Sequence, residues 1–373
     1  MDNFLRASGQ DLDKQFKNLQ STSTKSGIYK KHRIILASLS IILVVVFILS
    51  LCLGAVKISF PEFADIIMYR IGVLDIHIDK EPILFAIRLP RAICAILVGS
   101  CLAITGASMQ GLFKNPLAEP GLLGISAGAS LFASLHIVIL HSILFNLSYI
   151  LGAYSLIITS FIGAILTTTI VYKLSLIQGK AMITTLLISG IAINALAGSF
   201  TGLLSYISTD EQLRSITFWT MGSLGGSNWT TVNALIPFTL IPTLILAYLG
   251  KSLNAISLGD EEANYLGIRV NKIKKLIIVL TSLSVGAAVS MTGVIGFIGL
   301  VTPHILRLCF VSDNRLILPA SAILGAILLS LADLLSRVIV APSEVPIGII
   351  TALVGVPIFI YIILKDRKKY LFT

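Results

Sequence analysis

Apolar residues run through this chain in blocks too long for a soluble core, each closed by a short polar or Gly- and Pro-rich interval. A helix needs roughly 20 mostly apolar residues to cross a bilayer. Read in order, the runs predict spans near 34–56, 92–112, 121–141, 148–172, 181–206, 231–250, 274–293, 296–311, 315–336 and 345–364. Residues 92–113 carry no acidic or basic side chain and end in a sharp polar elbow. There Lys114, Asn115 and Pro116, then Glu119, Pro120 and Gly121, stop one helix and start another, because Pro lacks the amide hydrogen and Gly admits unusual backbone angles. Such an elbow belongs at a lined cavity or a docking surface. The run 296–311 is short and punctuated by Gly296, Gly299 and Pro303, which predicts a broken helix. Broken backbone is tolerated at membrane depth only where protein or a water-filled path satisfies it. The pattern as a whole predicts an all-α polytopic membrane protein of about ten transmembrane helices, with a spanning domain over 34–365, a polar arm over 1–33 and a basic tail over 366–373.

Composition agrees. Hydrophobic residues make up 55% of the chain, charged residues 12%, and the mean hydropathy is +0.94, values that exclude a soluble domain with a polar shell. The net charge of +10 does not point to nucleic acid, because the basic residues follow the predicted spans. Seven Lys and Arg precede Ile34 and four follow Leu364, with further groups at Lys173 and Lys180 and at Lys251, Arg269, Lys272, Lys274 and Lys275. An excess of Lys and Arg marks cytoplasmic segments, which puts both termini and the loop 251–273 in the cytoplasm. The first apolar run exceeds a signal-peptide core and no A-x-A site follows it. Cys52, Cys94, Cys101 and Cys309 stand singly in apolar segments, where free Cys behaves as a small hydrophobe.

The chemistry that is missing narrows the function. Neither G-x-x-x-x-G-K-[ST] nor a strand-linked G-x-G-x-x-G occurs, so this chain is expected to be no enzyme, and ATP, if used, is hydrolysed by a partner. His32, His77, His136, His141 and His304 have no metal-ligand spacing, so no metal and no bound cofactor are expected. A carrier coupled to protons or sodium places ionisable groups near the bilayer centre, yet the predicted spans are almost uncharged, with Asp333, Arg337 and Glu344 gathered at one edge. Transport powered from outside the membrane domain is favoured, with an ion-coupled secondary transporter as the alternative. The segments ITGASMQGLFKNPL and SMTGVIGFIGLVTP share a pattern of small residues, Gly, Phe and Pro, and the topology runs them in opposite directions. Inverted repeats of this kind place a transport route at their interface.

Six segments carry a family resemblance over about residues 34–365. They are RLPR at 88–91, NPLAEPGLLG at 115–124, FWTMGSLGGSNW at 218–229, SLGDEEANYLGI at 257–268, GVIGFIGLVTPHILRL at 293–308 and EVPIGIITALVGVPIFIYIIL at 344–364. In this order they resemble the permease subunit of ABC importers for iron chelates (siderophores), haem and vitamin B12. The resemblance implies an inner-membrane, multi-pass subunit that works as a homodimer. Its implied partners are a second permease copy, two ATPase subunits, a soluble substrate-binding protein and the surrounding lipid. It makes 251–273 a coupling loop whose short helix, with Gly259, Asp260, Glu261, Ala263, Leu266 and Gly267, engages the ATPase. A helix of two turns is not stable alone, and Ala263 with Leu266 is expected to form its packed apolar face. Arg88, Arg91 and Arg337 are implied to receive acidic residues of the binding protein, since the planar guanidinium holds a carboxylate in two places; anchoring to headgroups is the plainer reading of such residues. Asn115, Leu117, Ile183 and Thr184 are implied to form the cytoplasmic gate, with the span at 188–200 beside the path. Val294 and Thr302 depart from the residues usual at those family positions.

Overall fold

The computed structural model describes residues 30–73, 79–140, 151–152, 154–310 and 312–371. Most of the polar arm, His77 and His141 lie outside the described residues. Among the described residues, each apolar run of the sequence contains a helix. Seven are long and apolar enough to cross a membrane: α1 (Lys30–Cys52), α3 (Ile83–Phe113), α5 (Tyr154–Leu174), α6 (Ile183–Ile207), α8 (Trp229–Tyr248), α11 (Val270–Thr292) and α13 (Asn314–Val338). Three more are apolar but shorter: α4 (Ile125–Leu140), α12 (Ile298–Cys309) and the Ile347–Tyr361 part of α14 (Ile347–Leu371).

Four short helices lie in intervals that hydropathy passed over: α2 (Phe60–Arg70), α7 (Asp210–Met221), α9 (Gly250–Leu258) and α10 (Asp260–Tyr265). Local capping explains two of them. Ser59 with Glu62 and Thr209 with Gln212 each form a reciprocal capping box that satisfies free amides at the helix start. Between α5 and α6 a two-strand hairpin, β1 (Leu176–Ile177) and β2 (Lys180–Ala181), turns at Gln178 and Gly179, both at positive φ.

Helix α3 is the axis of the molecule. It packs most extensively on α13 and also touches α8, α11 and α12, and nearly every residue from Pro90 to Phe113 is buried. Helices approach this closely in lipid only where side chains are small. A Cβ on Gly99 would lie 2.4 Å from the Gly325 carbonyl oxygen of α13, and one on Gly106 would lie 1.8 Å from that of Gly299 on α12. The same holds at Gly128, where α4 meets α5 at Thr167, whereas Gly198 and Gly202 on α6 face open space.

Both broken segments meet against α3. The elbow leads into a 3-10 turn at Pro120–Leu123 before α4 begins, and α11 is separated from α12 by residues 293–297, with Phe297 at a φ of 68°. Pro120 lies 3.6 Å from where a Gly299 Cβ would be, and Gly299 sits on Leu102 and Gly106. The elbow therefore climbs back from the end of α3 to the level of its middle.

Candidate functional site

At the end of the bundle where α3 begins and α13 ends, the three arginines form one cluster. Helix α3 runs through RLPR, and Arg88, Arg91 and Arg337 are only 5%, 6% and 6% exposed. Arg91 donates from Nε to Asp333 at 2.8 Å and from Nη1 and Nη2 to the two oxygens of Glu344 at 2.7 and 3.0 Å. Arg337, one turn beyond Asp333 on α13, contacts the other Asp333 oxygen at 3.1 Å and donates to Ser50 Oγ at 2.8 Å. The Arg337 contact is an ion pair without hydrogen-bond alignment. Arg88 has carbonyl acceptors only, from Leu51, Cys52 and Val56, and so closes the C-terminus of α1, where cations are favoured. A small cleft bordered by Gly54, Val56, Pro342 and Glu344 opens onto all three guanidiniums.

The loop 251–273, expected to engage an ATPase, sits at the opposite end, next to the start of α13. Gly259 and Gly267, with φ of 155° and 82°, bracket α10 as the sequence requires. Ala263 is fully buried in a small core with Ala255, Ile256 and Val270, and Asp260 pairs with Lys274 of α11, itself only 5% exposed. Leu266 does not join Ala263 in that face. It is 63% exposed and Tyr265 is 90% exposed, so the end of α10 leaves apolar side chains uncovered away from its own core, as does Leu258 of α9 at 70%. Glu261 lies in the acidic first turn with Asp260 and Glu262, where it complements the helix dipole.

The loop is fixed to the bundle by a second polar joint. Asn254 of α9 donates to Asp313 at 2.7 Å and accepts from the Asn314 amide at 2.9 Å, while Arg315 holds the other side of Asp313. Burial pushes the Asp313 carboxyl up, but hydrogen bonds from Arg315 and Asn254 outweigh it and hold the group at about 2. The joint stays ionised throughout the physiological range.

The four residues expected to form the gate lie at the end of α3 and the start of α6. Asn115 follows α3 and accepts the Leu117 amide at 2.9 Å, and Leu117 is 46% exposed. Ile183 and Thr184 open α6, with Ile183 packed on the main core and Thr184 exposed. Nothing in the structure joins the two pairs through a hydrogen bond among the described residues.

A functional candidate was missed in the sequence. Between the two broken segments is a cavity lined by Leu102, Glu119, Asn194, Val285, Gly296 and Phe297. Asn194 donates to the Gly121 carbonyl at 3.0 Å, and its own amide oxygen is buried without a hydrogen bond. Glu119 counted as a loop residue by hydropathy, yet the climb of the elbow brings its carboxylate to the level of the middle of α3. The expectation of an uncharged interior is corrected at this position.

Residues 42–365 match the FecCD transport family. The hemin transport system permease protein of Yersinia pestis is 44% identical over 339 residues, covering 90% of this chain and 97% of the relative. The vitamin B12 import system permease protein of Salmonella paratyphi A is 36% identical over 334 residues, covering 89% and 95%. Among solved structures, a metal-chelate type ABC transporter in an inward-facing conformation superposes with a TM-score of 0.77 at 30% identity, covering 89% of this chain and 99% of that one.

Proposed function

The chain belongs to the FecCD transport family, and on that premise we propose that it is the non-catalytic membrane subunit of an ATP-driven importer for haem, another iron chelate or cobalamin. The observation that carries this reading is the match of the whole spanning region to permeases that serve hemin and vitamin B12. In this reading the protein sits in the inner membrane with both termini in the cytoplasm, and the arginine cluster faces outward.

Each site then has a partner. The cleft at Arg88, Arg91 and Arg337 receives carboxylates of the soluble binding protein. The exposed Tyr265 and Leu266 at the end of α10, with Leu258 at the end of α9, seat in an ATPase subunit, one for each of two permease copies. Asp260 and Lys274 transmit its movement into α11, whose far end adjoins the 293–297 break. Asn115, Leu117, Ile183 and Thr184 close the path on the cytoplasmic side. The second copy covers the face of α6 that bears Gly198 and Gly202, where nothing among the described residues packs within 4 Å of a Cβ position.

The test is uptake of labelled haem, ferric siderophore and cobalamin into liposomes holding the permease, its ATPase and the loaded binding protein. ATP-dependent accumulation of one of them is expected, and an ATPase variant that cannot hydrolyse should abolish it. Accumulation of none of the three, in a complex that does hydrolyse ATP when the binding protein is added, overturns the cargo class. The position of Glu119 favours examining a second reading, transport driven by an ion gradient.

A further inference from the structure

Arg91 is held by two carboxylates of opposite character. Asp333 is 0% exposed, lies on the rigid α13 and also touches Arg337. Glu344 is 43% exposed and belongs to the non-helical turn between α13 and α14, tethered by the hydrogen bond from the Val345 amide to the Ser336 carbonyl. Among the described residues it is held by two parallel hydrogen bonds from the end of the Arg91 fork. Any carboxylate that enters the cleft makes that same pair of bonds.

Charge points the same way. Three guanidiniums face two carboxylates, so the cluster keeps one net positive charge with Glu344 in place, and Arg88 has no acidic partner among the described residues. Glu344 also borders the cleft through which the guanidiniums are reached. Exchange of Glu344 for an incoming carboxylate leaves Asp333, Arg337 and the helix packing untouched.

We infer that Glu344 is an internal stand-in: it occupies Arg91 while the cleft is empty and is displaced when an acidic side chain of a docking protein takes its place on the guanidinium. The inference rests on the docking reading of the arginine cluster. It explains how guanidiniums buried inside the free permease become available to a partner, and it makes Glu344 a competitor that weakens capture and speeds release after delivery.

The experiment measures binding of the loaded binding protein to the permease–ATPase complex in lipid nanodiscs. Glu344→Gln keeps the shape but loses the charge that holds it on Arg91, so affinity is expected to rise by about two- to fivefold, the scale of removing one exposed ionic competitor. Glu344→Asp, one methylene shorter, should tighten binding by less. Wild-type or weaker binding by both variants, with melting temperatures unchanged, overturns the stand-in role. Arg91→Glu tests the premise separately: if it captures the binding protein as the wild type does at low salt, the docking reading fails, and the stand-in role with it.

Discussion

Asp333 and Glu344 both pair with Arg91, yet their environments give them different weight. Asp333 is fully buried between two guanidiniums. Asp333→Asn leaves both cations with reduced compensation, and breaking a buried pair of this kind costs about 3–5 kcal/mol. Detergent-solubilised Asp333→Asn is expected to unfold at clearly lower temperature than the wild type. A wild-type melting curve would show that the cluster contributes little to folding. Glu344→Gln should shift the curve far less, since exposed ion pairs contribute about 0–1 kcal/mol. Part of this was legible in the sequence: Asp333 and Arg337 stand one helical turn apart and so share a face. The pairing of Arg91 with Glu344 joins residues 253 apart, and no local pattern encodes it. Glu119 was missed for a related reason, because depth in the membrane follows from where the elbow folds and not from the hydropathy of its neighbours.

The helices themselves were readable, since an apolar run that must satisfy its backbone in lipid has little choice but to be helical. Their ends were less so. Helix α3 starts at Ile83 instead of 92, because its two arginines are paired inside the protein and need not mark a water interface. The short helices α2 and α7 depend on capping boxes, which hydropathy does not register. In α10 the glycine boundaries were legible, but the face was not: six residues are too few to define a stripe, and Leu266 turns outward while Ala263 turns in. That orientation sharpens the coupling prediction. Because Leu266 is exposed in the permease alone, Leu266→Asp buries no charge until a partner covers it. The variant is expected to insert and melt like the wild type yet to lose ATPase association and transport. Normal copurification of the ATPase with Leu266→Asp would show that this patch lies outside the interface.

At the scale of the whole molecule the question is where the energy for movement enters. Among the described residues α3 packs on four of the other nine apolar helices, the loop 251–273 is fixed to the bundle through Lys274 and Asp313, and the two broken segments meet at mid-depth beside a single lining carboxylate. Drive from the ATPase makes Glu119 a local polar group in a hinge, whereas an ion-coupled carrier makes it the coupling site. The two separate cleanly in liposomes. Permease alone, with a proton gradient imposed across the membrane, is expected neither to hydrolyse ATP nor to accumulate cargo. The full complex should accumulate cargo with ATP inside and the gradient collapsed, and Glu119→Gln should still respond to ATP in that assay. Accumulation by the permease alone along the gradient, lost in Glu119→Gln, would transfer the energy source from the partner ATPase to this carboxylate.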